Sequence, residues 1–153
     1  MALLLTTSET VFPAVDAYRC LISVPLDKAV ASQLIRYYKD TLEFQSTLAY
    51  LKDPPLSYQQ IRVDILSALD LIATGVETGV FRDEYAFEAA VQNVVQASHD
   101  SHVRLDAGAL NVFSFGSPYA ISSVSTDGIE LPKVYFTGLS SKQHWLLWNL
   151  IKT

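Results

Sequence analysis

From Pro25 onward the chain carries apolar side chains at helical intervals, Val30, Leu34, Tyr37 and Tyr38, behind Asp27, an aspartate placed to cap the first turn. The spacing predicts a helix that runs on to Leu51. Pro54 and Pro55 stop it, because proline lacks the backbone donor and turns the preceding residue away from the α region. A second stripe, Ile61, Ile65, Leu69, Ile72 and Val76, repeats at steps of four, four, three and four, which puts all five on one face of a second helix. Gly75 and Gly79 bracket its end. Asp83 is suited to cap a third helix with Phe87, Val91, Val94 and Val95 turned inward.

After His102 the periodicity changes. Glycine, serine, aromatic and β-branched residues dominate 111–136, and Asp127-Gly128 is a hairpin turn signal, with Ile129 and Leu131 alternating with Glu130 as in a half-buried strand. The segment FSFG (113–116) fits a buried aromatic strand or a carboxylate-binding loop. Residues 138–153 hold both tryptophans, Trp145 and Trp148, and suit a short helix or strand covering a sheet edge. The predicted fold class is α+β: a three-helix region followed by a short antiparallel β segment.

Composition narrows the function classes. A chain of 153 residues is one ordinary domain, able to bury roughly 68–70% of its unfolded surface. Half of the residues are hydrophobic and 18% charged, as in a globular protein. A net charge of −5, with 11 lysines and arginines and no basic cluster, argues against a nucleic-acid partner. The early apolar run Ala2–Leu5 is too short for a membrane span or signal-peptide core, so neither a span nor an export signal is expected. Cys20, the single cysteine, reads as a buried small hydrophobe.

The chemistry concentrates in QASHDSHVRLD (96–106), where His99, Asp100 and His102 sit at the edge of the third helix. As a metal site the pair of imidazoles is short of ligands: structural zinc takes four and catalytic zinc usually three, and the third histidine, His144, lies in the tail. No metal or cofactor is expected. A histidine titrates near neutral pH and suits general-base work when a carboxylate orients it. In an extended segment, however, Asp100 and His102 would be set by alternating side-chain directions. The plainer alternative makes both histidines polar residues that complement the dipole at a helix end. No G-x-S-x-G elbow, P-loop or G-x-G-x-x-G is found. Tyr37, Tyr38, Phe44 and Tyr50, at helical spacing, read as core.

Four blocks in order, AYRCLISVPLD (17–27), FQSTLAYLKDPP (44–55), the helix into QASHDSH (92–102) and FSFGSPYAISSVSTDGIELPKVYF (113–136), resemble the N-terminal portion of fungal secreted serine peptidases. These belong to the tail-specific, or C-terminal-processing, peptidase family and are related to chlamydial protease-like activity factor. The resemblance implies a helical N-terminal region, a PDZ-like domain and a separate catalytic domain. It implies that the Asp-x-His element, here Asp100-Ser101-His102, supplies the catalytic histidine, with His102 the general base; the neighbouring carboxylate of Asp100 is the candidate orienter. It further implies export, and a disulfide between the cysteine at position 20 and one upstream that this chain does not have.

The departures shape the expectation. Ser101 and Val103 stand where relatives tend to carry glycine and an aromatic residue, and losing the glycine removes access to positive φ. The family's nucleophile lies far downstream, and Ser67-Ala68, upstream and in a helix, does not match it. The expected organisation is an extension (1–16), a helical peptidase-family region (17–102), a partial PDZ-like β segment (103–137) and a divergent tail (138–153). The expected function is an N-terminal fragment or non-catalytic paralogue of a tail-specific serine endopeptidase, not an enzyme on its own, and for want of a signal peptide cytoplasmic or of unknown location. The alternatives are a PDZ-like module that binds an extended peptide or protein, or half of a protease completed in trans.

Overall fold

The computed structural model describes residues 11–116 and 119–137. The chain divides into two compact units, one up to Ser114 and one from Phe115. The first is helical: α1 (Ala14–Leu21), α2 (Lys28–Leu42), α3 (Leu48–Lys52), α4 (Ile65–Thr78) and α5 (Glu84–Gln96). The second contains an antiparallel pair, β1 (Ala120–Val124) and β2 (Lys133–Thr137). The α+β class holds, and the three predicted helices correspond to α2, α4 and α5.

The caps explain where these helices start. Asp27 accepts hydrogen bonds from the backbone N–H groups of Ala29 (3.0 Å) and Val30 (3.2 Å), Asp64 from Ser67 (3.1 Å) and Asp83 from Ala86 (2.8 Å). Each satisfies amide donors that a helix N-terminus otherwise leaves orphaned. The cap at Asp64 places Ile61 outside α4, where it is 87% exposed, whereas the remaining stripe of Ile65, Leu69, Ile72 and Val76 is buried as predicted. Gly79 ends α4 at φ +75°, and the amide of Val80 returns to the Gly75 carbonyl at 2.8 Å. Gly75 itself lies inside the helix, and a Cβ there would come within 2.8 Å of the Phe81 ring.

The helix predicted through Leu51 is instead broken. After Leu42 the amides of Phe44 and Gln45 reach back only three residues, to Thr41 (3.3 Å) and Leu42 (2.9 Å), which tightens the last turn and ends α2. The chain then re-enters a helix as α3. The buried face of α2 also differs by one position from the predicted one: Ala31, Ile35 and Leu42 are buried and Leu34 and Tyr38 partly so, whereas Val30 and Tyr37 are exposed. Of the four aromatics expected in the core, Tyr38 packs against it. Phe44, in the turn, is 92% exposed, and Tyr37 and Tyr50 are exposed too.

The core joins Ile35, Leu42 and Leu51 to the α4 stripe and to Phe87, Val91 and Val95 of α5. Each such side chain, fully buried, contributes about 1.5–3 kcal/mol. Residues 103–112, expected as the opening of the β half, form no strand. They lie on the helices, with Leu105 and Ala107 in the core, because alternate small and aliphatic side chains can bury against a helical surface without a ladder. Residues 113–116 likewise form no strand.

In the second unit, Ala120 pairs with Thr137, Ser122 with Tyr135 and Val124 with Lys133. The Asp127-Gly128 signal marks a real turn inside a longer loop. One carboxylate oxygen of Asp127 accepts from the amides of Ile129 and Glu130, both at 2.9 Å, and Gly128 takes φ +72°. Ile129 and Leu131, predicted to lie on a strand, sit in this loop and are exposed, because the Asp127 turn absorbs the residues that a two-residue hairpin would have paired. The predicted element at 138–153 lies outside the described residues. Among the described residues no helix is long and apolar enough to cross a membrane.

Candidate functional site

The histidine motif is positioned by the way α5 stops. Beyond Gln96 the amides of Ala97, Ser98 and His99 bond to Asn93, Val95 and Gln96, so the helical turn winds down over three residues. His99 then adopts φ +52°, the only positive φ of a non-glycine among the described residues. The residue that reverses the chain is therefore His99, whereas Ser101 needs no left-handed backbone. His99 is exposed and serves the turn.

Past that reversal the segment forms a side-chain-closed turn in place of the extended one expected. Oδ1 of Asp100 accepts the backbone N–H of His102 at 2.9 Å and lies 2.9 Å from Nδ1 of the same residue. An aspartate bonded to the amide two residues on makes an Asx turn, which draws into contact two side chains that, being two residues apart, would share a face of an extended segment without touching. The second carboxylate oxygen, Oδ2, accepts from Nε2 of Gln45 at 3.0 Å, and Gln45 donates also to Oγ1 of Thr47 at 2.9 Å. The amide of Asp100 bonds to Oγ of the buried Ser98 at 3.3 Å.

These contacts define the electrostatics. The backbone N–H of His102, then its imidazole, then the Gln45 amide hold the Asp100 carboxyl below its ordinary value. An ionised carboxylate only accepts, so the imidazole presents an N–H at Nδ1 and leaves Nε2 as its basic nitrogen. The His102 side chain is 93% exposed and that of Asp100 29%. The arrangement is a solvent-facing imidazole oriented from behind by a carboxylate, which can take up a proton at Nε2 from a group brought against it.

The structure thus brings Asp100 and His102 together and leaves His99 to the backbone turn. His144 lies outside the described residues. Among those described, no three His, Cys, Asp or Glu side chains are grouped to hold a metal. Ser67 is in the first turn of α4, and Cys20 is half-buried on α1.

Two polar positions had escaped the sequence pattern. Gln45 is 55 residues from Asp100, and no local periodicity connects them. Glu88 did leave a signal, since it sits on the inward face of α5 beside Phe87 and Val91. It is 5% exposed, and its two oxygens accept from the amides of Gly108 and Leu110, both at 2.9 Å. With the Tyr38 hydroxyl donating to the Arg104 carbonyl at 3.1 Å, it ties the chain that follows His102 to the helices.

No protein-family profile matches the chain, and no solved structure matches it significantly. Two fungal sequences do. The Peptidase S41 family protein phomP1' of Diaporthe leptostromiformis is 30% identical over 83 residues, and phomP1 of the same organism is 29% identical over the same length. The match takes in 54% of this chain and 12% of each relative, so the chain spans a small part of the proteins it resembles. Over about half its length, then, this chain is related to fungal proteins of peptidase family S41, a family of tail-specific proteases.

Proposed function

We propose that this chain corresponds to the N-terminal, histidine-bearing region of a tail-specific serine endopeptidase, with His102 in the position of the general base and Asp100 as the residue that orients it. The observation that carries the reading is the 2.9 Å contact between Nδ1 of His102 and Oδ1 of Asp100 on an exposed turn. The similarity to fungal S41 proteins supports it, and the relation to chlamydial protease-like activity factor and the PDZ-like character of the β unit belong to the same proposal.

By itself the region is not an endopeptidase in this reading, and magnitudes give the reason. A positioned general base contributes roughly 10²–10⁴-fold, whereas enzymes reach about 10⁶-fold or more. The nucleophile and the donors that stabilise a tetrahedral oxyanion supply the difference. Incubated with unstructured casein and a fluorophosphonate probe, the purified chain is expected to give neither hydrolysis nor labelling; either result would overturn this part of the proposal. Supplied with a separately expressed S41 domain that carries a nucleophilic serine, the chain is expected to restore cleavage, and His102→Ala to lower it by about 10²–10⁴-fold. Undiminished cleavage by that variant would remove His102 from the mechanism.

A second reading, capture of an extended peptide by strand addition, draws on the antiparallel pair with exposed Ile121, Val134 and Tyr135. Titration with peptides of random C-terminal sequence is its test, and no binding at millimolar concentration counts against it.

A further inference from the structure

The Asp100–His102 contact is local, and a local contact alone does not hold a carboxylate in one orientation. Either oxygen of Asp100 can accept from the His102 amide and imidazole, so the contacts within 96–106 do not decide which oxygen faces them. What decides it is a residue from the other end of the helical unit. Gln45, in the turn between α2 and α3, reaches Oδ2 at 3.0 Å and leaves Oδ1 for the amide and imidazole of His102.

Gln45 is itself held. It is half-buried, its backbone N–H bonds to the Leu42 carbonyl at 2.9 Å, and its Nε2 also donates to Oγ1 of Thr47 at 2.9 Å. The carboxylate only accepts, so the Gln45 amide must turn its NH₂ toward Asp100; the hydroxyl of Thr47 can accept from the same group. The donor is also neutral. A lysine or arginine there would pin the carboxylate equally well but cancel its charge, and with it the field that holds the proton at Nδ1 of His102.

We propose that Gln45 is a positioning residue for His102: by fixing Oδ2 of Asp100 it commits Oδ1 to the imidazole and selects the Nδ1–H tautomer, with Nε2 bare and facing solvent. The inference rests on the reading of His102 as a general base, since that role needs Nε2 unprotonated. Its test needs no protease activity.

The tautomer ratio of His102 can be read from two-bond ¹H–¹⁵N correlation spectra of the full-length, ¹⁵N-labelled chain above the imidazole titration range, the His102 signals being assigned from a His102→Ala spectrum. The wild-type chain is expected to hold His102 mainly as Nδ1–H. Gln45→Ala is expected to lower the ratio of Nδ1–H to Nε2–H by about three- to tenfold, a part of what a hydrogen bond to a charged group contributes. Gln45→Glu, which keeps the size but places a carboxylate against a carboxylate, is expected to lower it at least as far, and Thr47→Val to leave it nearly unchanged. Circular dichroism checks that each variant keeps its helices; if Gln45→Ala does not, the isosteric Gln45→Glu decides.

An unchanged ratio in the Gln45 variants, with the ratio collapsed in Asp100→Ala, would overturn the role of Gln45 and leave the Asp100–His102 pair standing. A ratio that survives Asp100→Ala would remove the pair itself, and the general-base reading with it.

Discussion

Asp64 does two jobs with one carboxylate. It caps α4 through the Ser67 amide and pairs with Nζ of Lys52 at 2.7 Å, and the Lys52 contact, followed by the bonds to Ser67, lowers its pKa from an ordinary 3.8 to about 2. For a depressed carboxylate the sign is fixed: its contribution to stability is present above 3.8 and disappears as pH falls through about 2. Asp64→Asn is therefore expected to melt at a lower temperature than wild type at neutral pH, with the gap closing between pH 4 and 2. A gap that stays constant over that window would dissociate the cap from the ionised carboxylate. Glu88 lends itself to a simpler test. Truncation by Glu88→Ala takes the acceptor from the amides of the exposed Gly108 and the half-buried Leu110, where water can replace part of it, so the cost is about 0.5–1.5 kcal/mol for each hydrogen bond lost, and Glu88→Gln, with one remaining acceptor, should cost less. Urea denaturation measures both. Its neighbour Glu84 is pushed up, first by burial, then by the charges of Glu88 and Asp27.

Among the elements, α5 is the one whose origin is most plainly chemical. Asp83→Ala removes the acceptor for the Ala86 amide and should cost about 1 kcal/mol, measurable as a shift in the denaturant midpoint. Gly75→Ala in α4 is expected to destabilise by about 1–3 kcal/mol although alanine is the better helix former, because the added methyl meets the Phe81 ring that packs edge-on against Phe87. The same contrast explains what could be read in advance. Asp27 and Asp83 announced their helices, and the stripe from Ile65 to Val76 announced the buried face of α4, since capping and amphipathic spacing are local. The break after Leu42 carried no glycine or proline to mark it. The inward face of α2 was displaced by one residue because bulky Val30 and Tyr37 outweighed small Ala31 in the pattern, whereas the fold buries Ala31. At the candidate site, Asp100 and His102 were legible as neighbours. Their contact was not, since an Asx turn is decided by one backbone hydrogen bond, and Gln45 was invisible because only tertiary packing carries it there.

The two units of the molecule differ in how their hydrogen bonds are protected. The helical unit encloses a core in which Leu69, Phe87, Val91 and Val95 are fully buried, whereas the strands of the second unit carry mostly exposed side chains. A two-stranded pair has little independent stability in water. Amide exchange is accordingly expected to be slow at Leu69–Val76 and at Val91–Val95, and faster by orders of magnitude at Ile121–Val124; equal protection would overturn this difference.

The bonds around the chain that follows α5 also set an order of events. Gln45 and Asp100 are 55 residues apart, Tyr38 and Arg104 66, whereas each helix closes its own turns within a few residues. Closing such long loops is entropically unfavourable until the helices have already docked. The contacts that Gln45 and Tyr38 make with this segment are therefore expected to form after the helices have docked, and the His102 imidazole, which reports on Asp100, offers a probe of that step in refolding.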